Sequence, residues 1–185
     1  MSYKESNMIE LGTKIPEFSL LEVQNNEKIT ITTDFQCNGI LIMFICNHCP
    51  FVIHVLPEIV KIARDYSPKG IKIIAISSND VNKYPEDSPY KMKELSQKWK
   101  FNFPYCYDED QKVAQAFEAA CTPDFYLFDD KLRLVYRGRM DESRPGNNIP
   151  LTGSDLRSAM DQILLGKKLL GDQFPSAGCN IKWKP

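Results

Sequence analysis

No apolar run in this 185-residue sequence approaches the ~20 residues that a membrane-spanning helix needs. The opening residues are polar, so a signal-peptide core is missing too. The expectation is a soluble, cytoplasmic protein with no membrane partner. An excess of basic charge is also missing: 23 Lys and Arg stand against 24 Asp and Glu, for a net charge of −1. Without a basic stripe, nucleic-acid binding has no electrostatic footing. Histidine is scarce, with only His48 and His54. Six cysteines (Cys37, Cys46, Cys49, Cys106, Cys121 and Cys179) are too few and too scattered for a disulfide-stapled secreted scaffold.

What is present is a chain of 43% hydrophobic content, long enough to bury one full core. Residues 1–185 read as a single domain with a polar lead-in over 1–14 and a tail over 167–185. The stretch that organises it is residues 40–50. An apolar run that predicts a central strand ends in Cys46, Asn47, His48 and Cys49, a Cys-x-x-Cys spacing. A helical pattern begins at once, with Val52, Val55, Leu56, Ile59, Ile62 and Ala63 recurring every three to four residues. Two thiols three apart at a strand end and in a first helical turn share a face and can close a small disulfide ring. The unpaired N–H groups and dipole of a helix start favour an anion there. The expectation is a lowered pKa at Cys46, which makes that thiol a nucleophile.

Residues 18–23 and 28–32 read as a hairpin. Pro50 falls in the first turn of the post-cysteine helix, where proline is tolerated, and Pro57 inside it, where a kink is expected. Residues 67–70 stop it, and 71–77 form a second β-branched run. Strand, helix, strand makes a βαβ unit with a buried parallel pair. A polar loop over 78–88 leads to a helix over 89–100, then a short strand near 103–107. Asp110 is expected to cap a helix bearing Val113, Ala116, Phe117 and Ala120. Residues 125–128 and 132–136 make a hairpin. A long loop to Gly153 follows, and 152–155 resembles a capping box before the last helix.

In this order the elements resemble the thioredoxin fold. More narrowly, the chain resembles the peroxiredoxin-like branch, the alkyl hydroperoxide reductase/thiol-specific antioxidant (redoxin) superfamily. The residues that carry the likeness are 44–50 (FICNHCP), 121–125 (CTPDF), 136–139 with 143–147 (YRGR, SRPGN) and 178–184 (GCNIKWK). The resemblance implies a three-layer α/β/α sandwich with a mixed central sheet, an N-terminal β-hairpin and a C-terminal extension. It implies Cys46 as the attacking thiol and Cys49 as the resolving one. Pro123 would be a cis-proline opposite them, and the Thr122 backbone a short edge for an extended substrate.

The activity expected is thiol–disulfide exchange with a disulfide-containing protein or a small-molecule thiol or peroxide substrate. A separate reductant resets the couple, and no cofactor or metal is required. His48, as an imidazolium, would stabilise the Cys46 thiolate and place the potential above thioredoxin's roughly −270 mV. Thioredoxins carry a buried acid in the strand before the motif, where this chain has Ile40 or Met43. Cys121 and Cys179 are possible auxiliary thiols, though a packed cysteine is the plainer reading of each. Arg137, Arg139 and Arg144 are read as ordering the long loop rather than holding an anion. His54 is read as structural.

An alternative is a thiol peroxidase in which Cys49, followed by Pro50, is peroxidatic. The threonine and proline that peroxiredoxins carry three and seven residues earlier are here Cys46 and Ile42. A third reading is a Cu(I) or zinc thiolate module of Cys46, His48 and Cys49. Oligomeric state, monomer or homodimer, is left open.

Overall fold

The computed structural model describes residues 2–185. Its centre is β4 (Gly39–Phe44), in which all six residues are buried. A strand buried on both faces needs a packed layer on each side, and β-branched Ile40 and Ile42 fit the pleat. β4 pairs in parallel with β5 (Ile71–Ser77) and antiparallel with β8 (Asp124–Phe128). β6 (Tyr105–Tyr107) and β9 (Leu134–Gly138) complete a five-stranded mixed sheet in the order β6-β5-β4-β8-β9.

Leu41, Met43 and Ile45 face one apolar cluster. It takes in α1 (Pro50–Tyr66), Met92 of α2 (Pro89–Trp99) and Leu156, Ala159 and Met160 of α4 (Ser154–Leu164). Ile40, Ile42 and Phe44 face a second cluster. That layer holds Val113 and Ala114 of α3 (Lys112–Ala116), with Phe18 and Ile31 from the hairpin of β2 (Phe18–Leu21) and β3 (Lys28–Ile31). Each large apolar side chain removed from water stabilises the fold by about 1.5–3 kcal/mol. The result is the expected three-layer sandwich with its N-terminal hairpin.

α1 runs through Pro57 as one element and ends in a single 3-10 turn, with Gly70 left-handed at φ 87°. Asp110 accepts from Lys112 N at the start of α3 (3.2 Å), and buried Asp108 takes the next two donors, Val113 N and Ala114 N (3.3 and 2.9 Å). α3 stops at Ala116, so Phe117 and Ala120 lie beyond it. No capping box forms at α4, whose N-cap is left-handed Gly153. Instead Asp141, inside the preceding loop, accepts from Thr152 N and Gly153 N (2.7 and 2.6 Å). The long loop is tied down by the same carboxylate, which also accepts from Ser143 N. Arg144 donates to the carbonyls of Asp141 and Ser143, Arg139 pairs with Asp155 at 2.7 Å, and Arg137 donates to Ile9 O. His54 meets Ser143 Oγ at 2.7 Å. Arg139 and Arg144 thus hold the loop, whereas Arg137 ties β9 to Ile9 and to Gln173 of the tail.

The lead-in and the tail are not loose ends. β1 (Tyr3–Glu5) pairs antiparallel with β10 (Ala177–Asn180), which pairs in turn with β7 (Cys121–Thr122). The register sets Cys179 opposite Thr122. Gly178 permits this approach: a Cβ there would lie 1.9 Å from Thr122 O. Gly178→Ala is therefore expected to push β10 off β7 and to destabilise the chain by roughly 1–3 kcal/mol. The measurement is the urea midpoint, together with the alkylation rate of Cys49, which should rise.

Candidate active site

β4 ends at Phe44 and α1 begins at Pro50, so the Cys46–Cys49 turn sits where strand hands over to helix. Cys46 and Cys49 are 1% and 0% exposed. Thr122, preceding a cis bond to Pro123, touches both sulfurs. Its hydroxyl lies 3.3 Å from Cys46 Sγ, and its carbonyl accepts from Cys49 Sγ at 3.1 Å. The structure thus brings together the four residues that the resemblance singled out: Cys46, Cys49, Thr122 and Pro123. The edge implied for a substrate is not open, however. Thr122 is paired with Cys179 of β10.

The two thiols shift in opposite directions, and the lowered one is Cys49. Cys49 is the N-cap of α1. Its thiol is lowered to about 5, first because the Cys46 S–H donates to it, then through the Cys179 S–H and the N–H groups of Val52 and Cys179, all working against burial. Cys46 is raised, because its proton is engaged by Cys49, because it is buried and because Asp87 is negative. The N–H groups of a helix start favour an anion in general, but Cys49 makes no side-chain capping bond to α1, and the neighbouring Cys46 thiol leads its shift.

Asp87 is a site residue that sequence reading passed over. It is fully buried, in a 3-10 turn (Pro85–Asp87) of the loop after β5. It accepts from Asn47 N at 2.8 Å and Asn79 Nδ2 at 2.7 Å, and lies 2.7 Å from His48 Nδ1. Two donors and an imidazole offset the desolvation of a buried carboxylate. The His48 ring stacks on Tyr84, 5.5 Å between centroids and 4° between planes. Any positive charge on His48 is shared with a carboxylate that itself opposes a Cys46 thiolate. His48 does not act on the thiols alone. Nothing in the 78–88 stretch marks Asp87 as different from any other loop acid.

Cys46, His48 and Asp87 bring one ligand atom each within 4.8 Å of one another. Asp87 takes the place given to Cys49 in the metal-module reading, and this S/N/O set suits a divalent ion better than Cu(I). Cys121 is fully buried, leans on Pro123 O at 3.6 Å, and is raised by burial far out of thiolate range. Cys106 is pushed up to about 12 by burial, and half-buried Cys37 is raised by the same cause. Cys179 also rises to about 12, through burial and through donating to Cys49, and lies in direct contact with the pair.

Two outcomes follow from these charges. In the reduced protein one thiolate should form near pH 5, seen by ultraviolet absorbance, and vanish in Cys49→Ser. Cys46→Ala, which removes a donor, should move the transition upward, and Cys46→Ser, which keeps one, should move it less. Asp87→Asn removes the negative charge near Cys46. Thiolate and reduced state are then both favoured, and the potential should become more oxidising by on the order of 30 mV in glutathione buffers.

A model of the AhpC/TSA family matches residues 11–137. Among curated proteins none matches the chain. Among solved structures, an uncharacterised conserved protein from Geobacillus kaustophilus is similar at 51% identity and a TM-score of 0.97, over 100% of this chain and 98% of that one. A hypothetical protein from Sinorhizobium meliloti 1021 is similar at 42% identity and a TM-score of 0.94, over 97% and 98%. The thioredoxin domain of a thiol-disulfide oxidoreductase from Bacteroides vulgatus, at 16% identity and a TM-score of 0.65 over 84% and 99%, shares the fold. The fold is thus thioredoxin-like, and the family match over residues 11–137, which takes in both thiols and the Thr122–Pro123 turn, shows that this chain belongs to the AhpC/TSA family.

Proposed function

We propose that the protein is a thiol–disulfide oxidoreductase whose working couple is Cys46 and Cys49. The observation that carries this reading is that Thr122, ahead of Pro123, touches both buried sulfurs, its hydroxyl 3.3 Å from Cys46 Sγ and its carbonyl 3.1 Å from Cys49 Sγ, so that it can serve either placement of one proton between them. With the charge on Cys49, Cys46 and the Val52 N–H hold it. With the charge on Cys46, the Thr122 hydroxyl can donate to it across 3.3 Å, and the Cys49 S–H is taken by Thr122 O. A proton shift along the S–H···S contact therefore creates a nucleophile at Cys46 without a separate base.

Cys46 attacks a disulfide of a partner protein or small molecule, and the leaving sulfur departs as thiolate. Cys49 then attacks Cys46 of the mixed disulfide, releases the reduced partner and closes Cys46–Cys49. A separate reductant reopens it. Access is from the His48 side, since His48 keeps 18% side-chain exposure while β10 covers the Thr122 edge. Buried Asp87, rather than an acid in β4, is the carboxylate near enough to influence the proton on Cys46.

One observation favours a second reading. Cys49, lowered to about 5 and followed by Pro50 at a helix start, has the character of a peroxidatic thiolate. The two readings separate in one experiment: turnover of a protein disulfide and of hydrogen peroxide by wild type, Cys46→Ser and Cys49→Ser. Disulfide reduction is expected to drop at least about 100-fold in both variants, the scale of losing a covalent step worth ~2.7 kcal/mol or more. Peroxide turnover that survives Cys46→Ser and disappears in Cys49→Ser would assign the peroxidase instead.

A further inference from the structure

The tail strand brings a third sulfur to the couple. β10 lies antiparallel to β7 with Cys179 opposite Thr122, the residue that touches both Cys46 and Cys49. Gly178 lets the two backbones close to a spacing no side chain would permit. Cys179 is buried, and its S–H and its backbone N–H both point at Cys49 Sγ. Cys49 therefore stands between two thiols that each hydrogen-bond to it, Cys46 from the strand end and Cys179 from the tail. Cys121, one residue before Thr122, leans instead on Pro123 O and has no such contact. A sulfur flanked by two others is placed for exchange in either direction.

We propose that Cys179 is a third exchange thiol, and that the oxidised centre passes between a Cys46–Cys49 and a Cys49–Cys179 disulfide within one chain. This rests on the Cys46–Cys49 couple proposed above and extends it to the tail. The step is an isomerisation and needs no added oxidant. The Cys179 thiolate attacks Cys49 Sγ of the Cys46–Cys49 bond. A Cys49–Cys179 bond forms, the Cys46–Cys49 bond breaks, and the electron pair leaves on Cys46. The proton given up by Cys179 ends on Cys46, which the Thr122 hydroxyl holds meanwhile at 3.3 Å. Loss of negative charge from Cys49 on oxidation removes a group that opposes a Cys179 thiolate, and Lys182 favours one. Cys46 is thereby returned to its thiol form while the oxidising equivalent sits on the Cys49–Cys179 bond, held by the β10–β7 pairing.

The test uses the full chain, reduced and then treated with oxidised glutathione, acid-quenched and mapped by peptide mass spectrometry without reduction. Wild type should yield both Cys46–Cys49 and Cys49–Cys179 peptides. Cys46→Ser should yield Cys49–Cys179, and Cys46→Ser with Cys179→Ser, or with Cys179→Ala should the serine disturb β10, should stall with glutathione on Cys49. A wild type that forms Cys46–Cys49, beside a Cys46→Ser variant that stalls with Cys179 still alkylatable, overturns the relay and leaves the couple standing. A Cys49–Cys179 link in Cys46→Ser beside a wild type that never forms Cys46–Cys49 overturns the couple, and with it the exchange proposed here.

Discussion

Thr122 is the residue on which the site depends. Its hydroxyl reaches Cys46, its carbonyl reaches Cys49, and its backbone is paired with Cys179. Three sulfurs drawn from a strand end, a helix start and the tail are therefore indexed to one residue. Thr122 lies in a two-residue strand, and its two polar groups meet one thiol each. Both the hydroxyl and the carbonyl are buried with them, so neither trades its contact for water. An unmet thiol or hydroxyl in such a place costs about 1–3 kcal/mol, which disfavours displacement of any one member alone.

The electrostatics around this residue are opposed rather than cooperative. The neighbouring thiols Cys46 and Cys179 favour negative charge on Cys49, while buried Asp87 disfavours it on Cys46. A dithiol with both groups equally acidic would repel itself on losing a second proton. Here the pair is graded, so one thiolate and one thiol coexist across the neutral range. His48 enters this balance through Asp87, with Tyr84 stacked on its ring. Elsewhere the core carries its own titratable strain: Asp124, fully buried at the start of β8, is pushed up to about 7 by desolvation, although Tyr126 and neighbouring backbone groups bond to it.

The sheet and the dithiol were legible because they are local. Residues 40–45 and 71–77 announce themselves by unbroken apolar runs, and the Cys-x-x-Cys spacing lies between a strand and a helix pattern. The proline at 123 was legible only through family likeness, since a Thr-Pro step has no local mark that fixes its isomer. What sequence reading missed came from far along the chain. Asp87 joins the motif across some 40 residues, 40 separating it from Asn47. β10 contains Ala, Gly, Cys and Asn, with no alternation and no β-branched residue, and is a strand because β1 and β7 flank it. Helix starts were read only in part for a related reason: beside Asp110, Asp108 acts on α3, and Asp141 acts on α4 in place of a capping box, each from a turn or loop that aims a carboxylate at the helix start. Which thiol of the pair is lowered depended on how the neighbouring sulfurs meet, a matter of a few ångströms that residue spacing does not resolve.

The small sheet β1-β10-β7 ties the two ends of the chain together, with Ser6 and Ser176, 170 residues apart, bonded beside it. Loop closure over such a separation comes late, because its entropy is repaid only after the intervening sheet exists. The cover that β10 lays over the Thr122 edge therefore forms after the sheet that carries the dithiol. Whatever loosens β1 from β10 also loosens the cover on Cys49, so the shielding of the dithiol is set in part by residues that stand nowhere near it in the chain.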